Sequence, residues 1–283
     1  MTGIVCEPGT PDDAREIQRR RRLDEATLAL SLELAERGGV WVARDDAEIV
    51  AILVAHDSSE ERYVGDCFVE PSYRQRGIAG GLLQAAFESV DDRARTMIAD
   101  PANPASLAVA LRGRLALREP VLRFAGAIPK EEELARMAAG EYRFQVESID
   151  PAAHAFGLRA LDRQTRGTTR DLDHERFARN ASGHAFFLRG EFVAYAYVWP
   201  DGRIGPIACS SQNYVVQIFA YALLSLTRAY GASWCSTIVP GSNRRIGRTV
   251  LRAGLRIEET SLLAGDTPEG DLSTYVGYHR LVF

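Results

Sequence analysis

The stretch Cys67-Phe68-Val69-Glu70-Pro71-Ser72-Tyr73-Arg74-Gln75-Arg76-Gly77-Ile78-Ala79-Gly80-Gly81 constrains this chain more than any other. It reads as an apolar strand end, a turn and a Gly-rich helix start with flanking arginines. The helix runs on through Leu82-Leu83-Gln84-Ala85-Ala86-Phe87. A helix N-terminus carries free N–H groups and a positive dipole end, so it attracts phosphate. Small residues at Gly77, Ala79, Gly80 and Gly81 let a diphosphate approach the backbone. Arg74 and Arg76 add cationic forks at the same spot. No Gly-Lys-Ser/Thr follows, and the G-x-G-x-x-G order is absent, so this is neither a Walker loop nor a Rossmann fingerprint. The plain alternative is a Gly-rich strand–helix turn with two surface arginines.

The rest of the composition narrows the classes. A chain of 283 residues has room for two ordinary domains. Apolar residues at 46% and charged residues at 25% are globular values. A net charge of −4 and a pI near 5.8 argue against a general nucleic-acid partner. Cys6, Cys67, Cys209 and Cys235 lack metal spacing, so reduced buried thiols, a cytoplasmic setting and no metal are expected. The N-terminus has neither a basic region nor an apolar run of the signal-peptide kind, and no apolar run reaches membrane-spanning length, so no membrane partner is expected.

Taken in order, residues 4–7 read as a strand, and Thr10-Pro11-Asp12-Asp13 as a capped helix start. That helix carries Arg19-Arg20-Arg21-Arg22, which is either a solvated face or an electropositive rim for an anionic ligand. A second helix over 24–37 ends at Gly38-Gly39. Residues 40–44 and 48–56 read as a hairpin turning at Asp45-Asp46-Ala47. Residues 63–69 form the strand that delivers the opening stretch. A strand at 96–99, a helix from Asp100-Pro101-Ala102-Asn103-Pro104-Ala105 to about 114, and a strand at 121–127 complete this half.

Arg74-Gln75-Arg76-Gly77-Ile78-Ala79, behind Val69-Glu70-Pro71-Ser72-Tyr73, resembles the Arg/Gln-x-x-Gly-x-Gly/Ala motif of the GCN5-related N-acetyltransferases, the GNAT superfamily. The element order β-α-α-β-β-β-α-β-α-β is also that of the GNAT fold. Charged residues 129–141 read as a helical connector. Beyond it, Ile4-Val5-Cys6-Glu7 with Pro11 is echoed by Phe144-Gln145-Val146-Glu147 with Pro151, 140 positions on. Trp41-Val42-Ala43-Arg44 with Val50-Ala51 is echoed by Phe186-Phe187-Leu188-Arg189 with Val193-Ala194, and Asn103 by Asn243. The offset is read as constant over these three elements. The expected architecture is therefore α+β (α/β): two tandem GNAT-like domains, each a mixed, mostly antiparallel sheet flanked by helices. Their expected bounds are 1–128 and 142–283.

The halves differ where the chemistry would be. At the 140 offset, residues 74–80 fall on Tyr214-Val215-Val216-Gln217-Ile218-Phe219-Ala220, which lacks glycine and arginine. The second domain is therefore expected to be degenerate for CoA. The resemblance implies acetyl-CoA as acyl donor in the first domain, with pantetheine along the backbone of Cys67, Phe68 and Val69. It places the diphosphate on the N–H groups of Gln75, Arg76, Gly77, Ile78, Ala79 and Gly80, beside Arg74. It matches Asn103 to a residue that touches the cofactor arm, although Asn103 serves equally as a helix N-cap. The family often has a Tyr seven positions past that Asn, as general acid on the thiolate; here stand Ala110 and Val250. A thiol pKa of about 8.5 keeps thiolate a tolerable leaving group, and losing the acid costs at most about 10²–10⁴-fold.

The catalytic base is not identified by the sequence. Tyr63 falls near the family's carboxylate position. Asp66 is on the same strand, but alternation sets it opposite Cys67 and Val69 unless a bulge turns it. His174 and His184 in the second half read as structural or exposed. The expected activity is acetyl transfer to an amine on a small molecule or peptide, the second domain shaping the acceptor cleft or a homodimer surface. The alternative is a CoA-binding or interaction protein without turnover.

Overall fold

The computed structural model describes residues 3–89, 93–267 and 270–283. Met1 and Thr2, part of the N-terminus read above for a leader, lie outside them. The elements begin with β1 (Val5–Pro8), α1 (Pro11–Arg21), α2 (Glu25–Glu36), β2 (Val40–Asp45), β3 (Glu48–Asp57) and β4 (Glu61–Val69). They continue with α3 (Ile78–Glu88), β5 (Ala94–Ala99), α4 (Pro104–Arg112), β6 (Ala116–Ala127), α5 (Glu131–Ala139) and β7 (Gln145–Ser148). Next come α6 (Ala155–Arg166), α7 (Asp171–Asn180), β8 (Ser182–Leu188), β9 (Glu191–Val198) and β10 (Ile204–Cys209). The last are α8 (Val215–Tyr230), β11 (Trp234–Pro240), α9 (Arg244–Arg252), β12 (Arg256–Gly265) and β13 (Tyr275–Val276).

The chain groups into two compact units, each taking strands from distant parts of the sequence. Unit 1 is the chain up to Arg118 with Leu262–Thr267 and Arg280–Val282. Unit 2 is Glu119–Ser261 with the stretch ending at His279 and with Phe283. The division read from sequence at residue 128 thus falls at 118/119. The reason is strand pairing: residues 121–127 of β6 form an antiparallel ladder with β11, while residues 262–265 of β12 pair with β5. The connector read at 129–141 is a packed element of unit 2, with Leu134 of α5 fully buried in the core that α8 shares.

In unit 1, β1, β2, β3 and β4 form consecutive antiparallel ladders, and β4 pairs in parallel with β5. Almost all of β3 is buried, as expected of a strand covered on both faces. One face packs Val50, Ala51 and Leu53 against Ile78, Leu82 and Leu83 of α3. Local chemistry sets the helix boundaries. Thr10 and Asp13 form a reciprocal capping box on α1, with Pro11 in its first turn. Asp24 caps α2 and Asn103 caps α4.

Unit 2 carries an antiparallel sheet in the order β13-β10-β9-β8-β7. Its α8 lies in an apolar core with β9, β10 and β11. The repeat seen in sequence has a structural counterpart but no constant offset, as the quoted pairs already show: Phe186 stands 145 positions after Trp41, and Val193 stands 143 after Val50. Val5 of β1 opposes Arg44, and Gln145 of β7 opposes Phe187, so β2 and β8 correspond at 143 positions. The offset returns to 140 from β4 onward, where Tyr63↔Thr96 is matched by Arg203↔Ser236. It persists at the C-terminal ends of α4 and α9, where Arg114 and Gly254 both take positive φ, 61° and 89°. The echo of Trp41 in Phe186 is therefore corrected: the register sets Ala43 against Phe186.

Candidate functional site

The β4–β5 ladder runs from Glu61↔Ala94 to Val64↔Met97 and stops. Among the described residues, the last part of β4 has no ladder partner on that side. Its other edge stays paired with β3, through Leu53↔Cys67, Ile52↔Phe68 and Ala51↔Val69. The two parallel strands thus part beyond Val64. Because Glu70 N–H bonds the Val50 carbonyl, the alternating pattern turns the main-chain groups of Phe68 to β3 and those of Cys67 and Val69 to the open edge.

A β-bulge sits at the parting point. Ala55 opposes Val64 but Val54 opposes Asp66, so Gly65 is the extra residue. Its lack of a side chain is required by packing. A Cβ there would fall on Leu281 Cα and 2.9 Å from the Arg280 carbonyl oxygen. Gly65→Val is expected to lower stability by about 2–3 kcal/mol, an overpacking cost against rigid backbone. Denaturant titration measures it, and an unchanged midpoint would contradict the close approach.

After β4 the chain turns through a single 3-10 turn, Pro71–Tyr73, and enters α3. Gln75 and Gly77 take left-handed φ of 63° and 81°. Arg74 Nε donates to the Val69 carbonyl at 3.1 Å, and Arg76 Nη2 to the Ser72 carbonyl at 3.1 Å. Arg76 also lies over the Tyr73 ring at 4.9 Å, and the Tyr73 hydroxyl donates to Asp45 at 2.9 Å. Arg74, Gln75, Arg76 and Gly77 are exposed.

The start of α3 differs from those of α1, α2 and α4, which side chains cap. Its N-cap is Gly77, with no side-chain cap hydrogen bond. Gly81 N–H makes the first intrahelical bond, to the Gly77 carbonyl at 3.0 Å. A Cβ on Gly77 or Gly80 would meet nothing within 4 Å. Ile78 is turned into the core, while Ala79 and Gly80 are part-exposed. The structure therefore brings the strand end at 67–69 and the cradle at 74–80 together along one continuous piece of backbone. Asn103 is exposed, and its Oδ1 accepts from Ala105 N–H at 3.1 Å, so one of its groups already serves as the α4 cap.

Asp66 and Tyr63 do not point into this cradle as free groups. Both reach the same distant segment. Asp66 is 6% exposed and ion-paired with Arg21, with Arg280 Nη2 at 3.3 Å. The Tyr63 hydroxyl donates to the Arg280 carbonyl at 2.7 Å. Cys67 and Val69 instead pack against the α3 core. The sequence reading missed Arg280, which lies 214 positions from Asp66 and carries no local signal. Arg21 belongs to the arginine run of α1. Arg21 lies on Asp66 and 4.7 Å over the Phe68 ring, and Arg20 bonds the Ile49 carbonyl and faces Glu48 and Glu70. Arg19 and Arg22 are exposed.

Burial first, and the Asp66 charge second, push the Cys67 thiol up to about 12. At pH 8 its thiolate fraction would then be about one part in ten thousand. Iodoacetamide at that pH is expected to leave Cys67 unmodified in the folded chain, and rapid alkylation located by mass spectrometry would contradict it. Ala110, where the family's acid would stand, is a fully buried core methyl. Among the described residues no three His, Cys, Asp or Glu side chains are grouped to hold a metal, and no helix is long and apolar enough to cross a membrane.

A parallel strand pair thus parts beside an uncapped, glycine-lined helix start on a mixed sheet. Residues 8–113 match the model of the Acetyltransferase (GNAT) family, so this stretch of the chain is similar to the GNAT acetyltransferases. No curated protein sequence matches it. Among solved structures, a chain from Pyrococcus horikoshii described as an acetyltransferase superposes with a TM-score of 0.71 at 16% identity, covering 100% of this chain and 97% of that one. A GCN5-related N-acetyltransferase from Sphaerobacter thermophilus gives 0.60 at 15% identity, covering 96% and 98%. A tandem GNAT protein from the clavulanic acid biosynthesis pathway gives 0.54 at 15% identity, covering 94% and 98%. At these identities the likeness establishes the fold, which is the GNAT fold across both units.

Proposed function

We propose that the chain is an acetyl-CoA-dependent N-acyltransferase whose cofactor site is in unit 1. One observation carries the reading: the strand end at 67–69, which has no ladder partner on its β5 side among the described residues, leads through one turn into a helix start without a side-chain cap hydrogen bond. The pantetheine amides extend β4 as a strand would, bonding the backbone of Cys67 and Val69. The diphosphate rests on the N–H groups of 75–80, where the helix dipole and aligned amides favour anions. Arg74 and Arg76 lie close enough to turn from their carbonyl contacts onto phosphate.

In the reaction a neutral amine attacks the thioester carbonyl. The tetrahedral intermediate collapses by breaking the C–S bond, giving an amide and CoA thiolate. The amine nitrogen gives up one proton and the thiolate takes one up. With Ala110 in the core, solvent is the proton source for the thiolate in this reading. Asp66 acts as a positioning group: its carboxylate holds Arg21 and Arg280 in place.

Ala110 and the ion-paired Asp66 also favour a second reading, a protein that binds CoA with little or no turnover. Calorimetry with acetyl-CoA tests what the two readings share. Binding below millimolar is expected, and no heat at near-millimolar ligand would overturn both. Thiol release against a panel of small amines and peptides then separates them, since binding without any release favours the second.

A further inference from the structure

Unit 2 repeats the parting strands of unit 1, but its gap is filled. The bridge Arg203↔Ser236 stands 140 positions after Tyr63↔Thr96, and Gly205 falls where Gly65 forms its bulge. Beyond that bridge, β13 lies between the strands. It pairs antiparallel with β10 at Ile207↔Val276 and Ala208↔Tyr275. On its other side Gly277 N–H donates to the Ile238 carbonyl of β11 at 2.8 Å, and Ile238 N–H returns a bond at 3.0 Å. Ile207 and Ala208 are the counterparts, at +140, of Cys67 and Phe68. Asn243, the counterpart of Asn103, donates from Nδ2 to the Tyr275 carbonyl at 2.9 Å.

The side chains of this segment are anchored too. Arg170 Nη1 donates to the Tyr275 hydroxyl at 3.1 Å, and Arg176 Nη2 to that of Tyr278 at 2.6 Å. The Tyr278 ring stacks on Trp199 at 4.6 Å. A Cβ on Gly205 would come within 2.7 Å of the Gly277 carbonyl oxygen, so the backbones touch. The helix start that would receive a diphosphate is closed as well. Tyr214 packs edge-on to Tyr142 at 4.7 Å, and Gln217 bonds Tyr142 N–H, the Tyr142 carbonyl and the Ala138 carbonyl.

We propose that residues 275–277 are a built-in occupant of the cofactor slot of unit 2. A pantetheine arm is an extended chain with two amides, and an extended peptide offers the same main-chain donors and acceptors to a strand edge. Being tethered, the peptide competes at an effective concentration of about millimolar or above. Its buried aromatic anchors add what a free ligand lacks. Unit 2 therefore takes no CoA, and the chain loads one. The stoichiometry rests on the proposed function of unit 1; the occupancy does not.

Hydrogen exchange read by mass spectrometry, without and with CoA at about 1 mM, tests both separately. The peptide spanning 272–278 is expected to be protected in the free protein and unchanged by CoA, while 66–82 gains protection. Asn243→Ala is expected to quicken exchange at 272–278 several-fold without creating CoA protection at 204–218. Fast exchange at 272–278 in the free protein would overturn the occupant. So would CoA-induced exposure of 272–278 with new protection at 204–218, or two CoA per chain by calorimetry. If CoA protects nothing anywhere, the reading of unit 1 fails, and the occupant stands or falls on its protection in the free protein.

Discussion

A Gly80→Trp chain titrated with acetyl-CoA is expected to give no measurable binding, a loss of at least about 100-fold, while remaining folded. The two halves of that result have separate causes. Gly80 lies in the first turn of α3, and a Cβ there meets nothing within 4 Å, so the indole enters open space rather than the core. Helix propensity favours the change, since glycine costs about 1 kcal/mol relative to alanine in a helix. Stability should be equal or slightly higher. The indole would stand over the N–H groups to which the diphosphate is assigned, and those amides cannot be approached past a bulky side chain. Gly77 is the less clean position, because its φ of 81° would strain any other residue. Unimpaired affinity in Gly80→Trp would move the cofactor elsewhere.

The second large effect belongs to unit 2. Asp162→Ala is expected to cost about 3–5 kcal/mol, the scale for breaking a buried charged network on one side. With unfolding entropies of domains this size, the midpoint should fall by about 10 °C. Asp162 is fully buried and accepts from the Tyr195 hydroxyl at 2.6 Å and the Arg170 N–H at 3.2 Å, with His174 Nε2 at 3.0 Å. His174 Nδ1 in turn meets the Tyr197 hydroxyl at 3.0 Å. Burial, then the Asp162 charge, push the Tyr195 hydroxyl well above its ordinary value, so it remains a donor. Removing the carboxylate strands these buried groups without water. Because Arg170 also holds Tyr275, looser packing of β13 should accompany the loss. A midpoint shift under about 2 °C, on the same scale, would show that the network relaxes around the cavity. Acetyl-CoA affinity in unit 1 should not change.

These two sites were unequally legible in the sequence. The cradle is local: Pro71, the arginines and Gly77 act within one turn and one helix start, so their order alone carried the geometry. The hairpin of β2 and β3 and the caps at Thr10, Asp24 and Asn103 are local in the same way. Strand partnership is not local. Nothing in residues 121–127 or 262–265 states which strand they join, because the alternating pattern that makes a strand is the same for either neighbour. That is why the boundary moved and the role of β13 went unseen. Asp66 shows the same limit on a smaller scale. Its strand and burial followed from pattern, but its partners Arg21 and Arg280 lie 45 and 214 positions away. His174, for which the sequence left structural and exposed both open, is buried, and its partner Asp162 carries no local sign of the network it centres.

A crystal soaked with CoA tests the central claim most directly. The predicted result is one CoA per chain, its pantetheine beside Cys67, Phe68 and Val69 and its diphosphate on the amides of 75–80, with β13 still seated between β10 and β11. Ligand density between β10 and β11 with β13 displaced, or no density at 67–80 at saturating CoA, would contradict it.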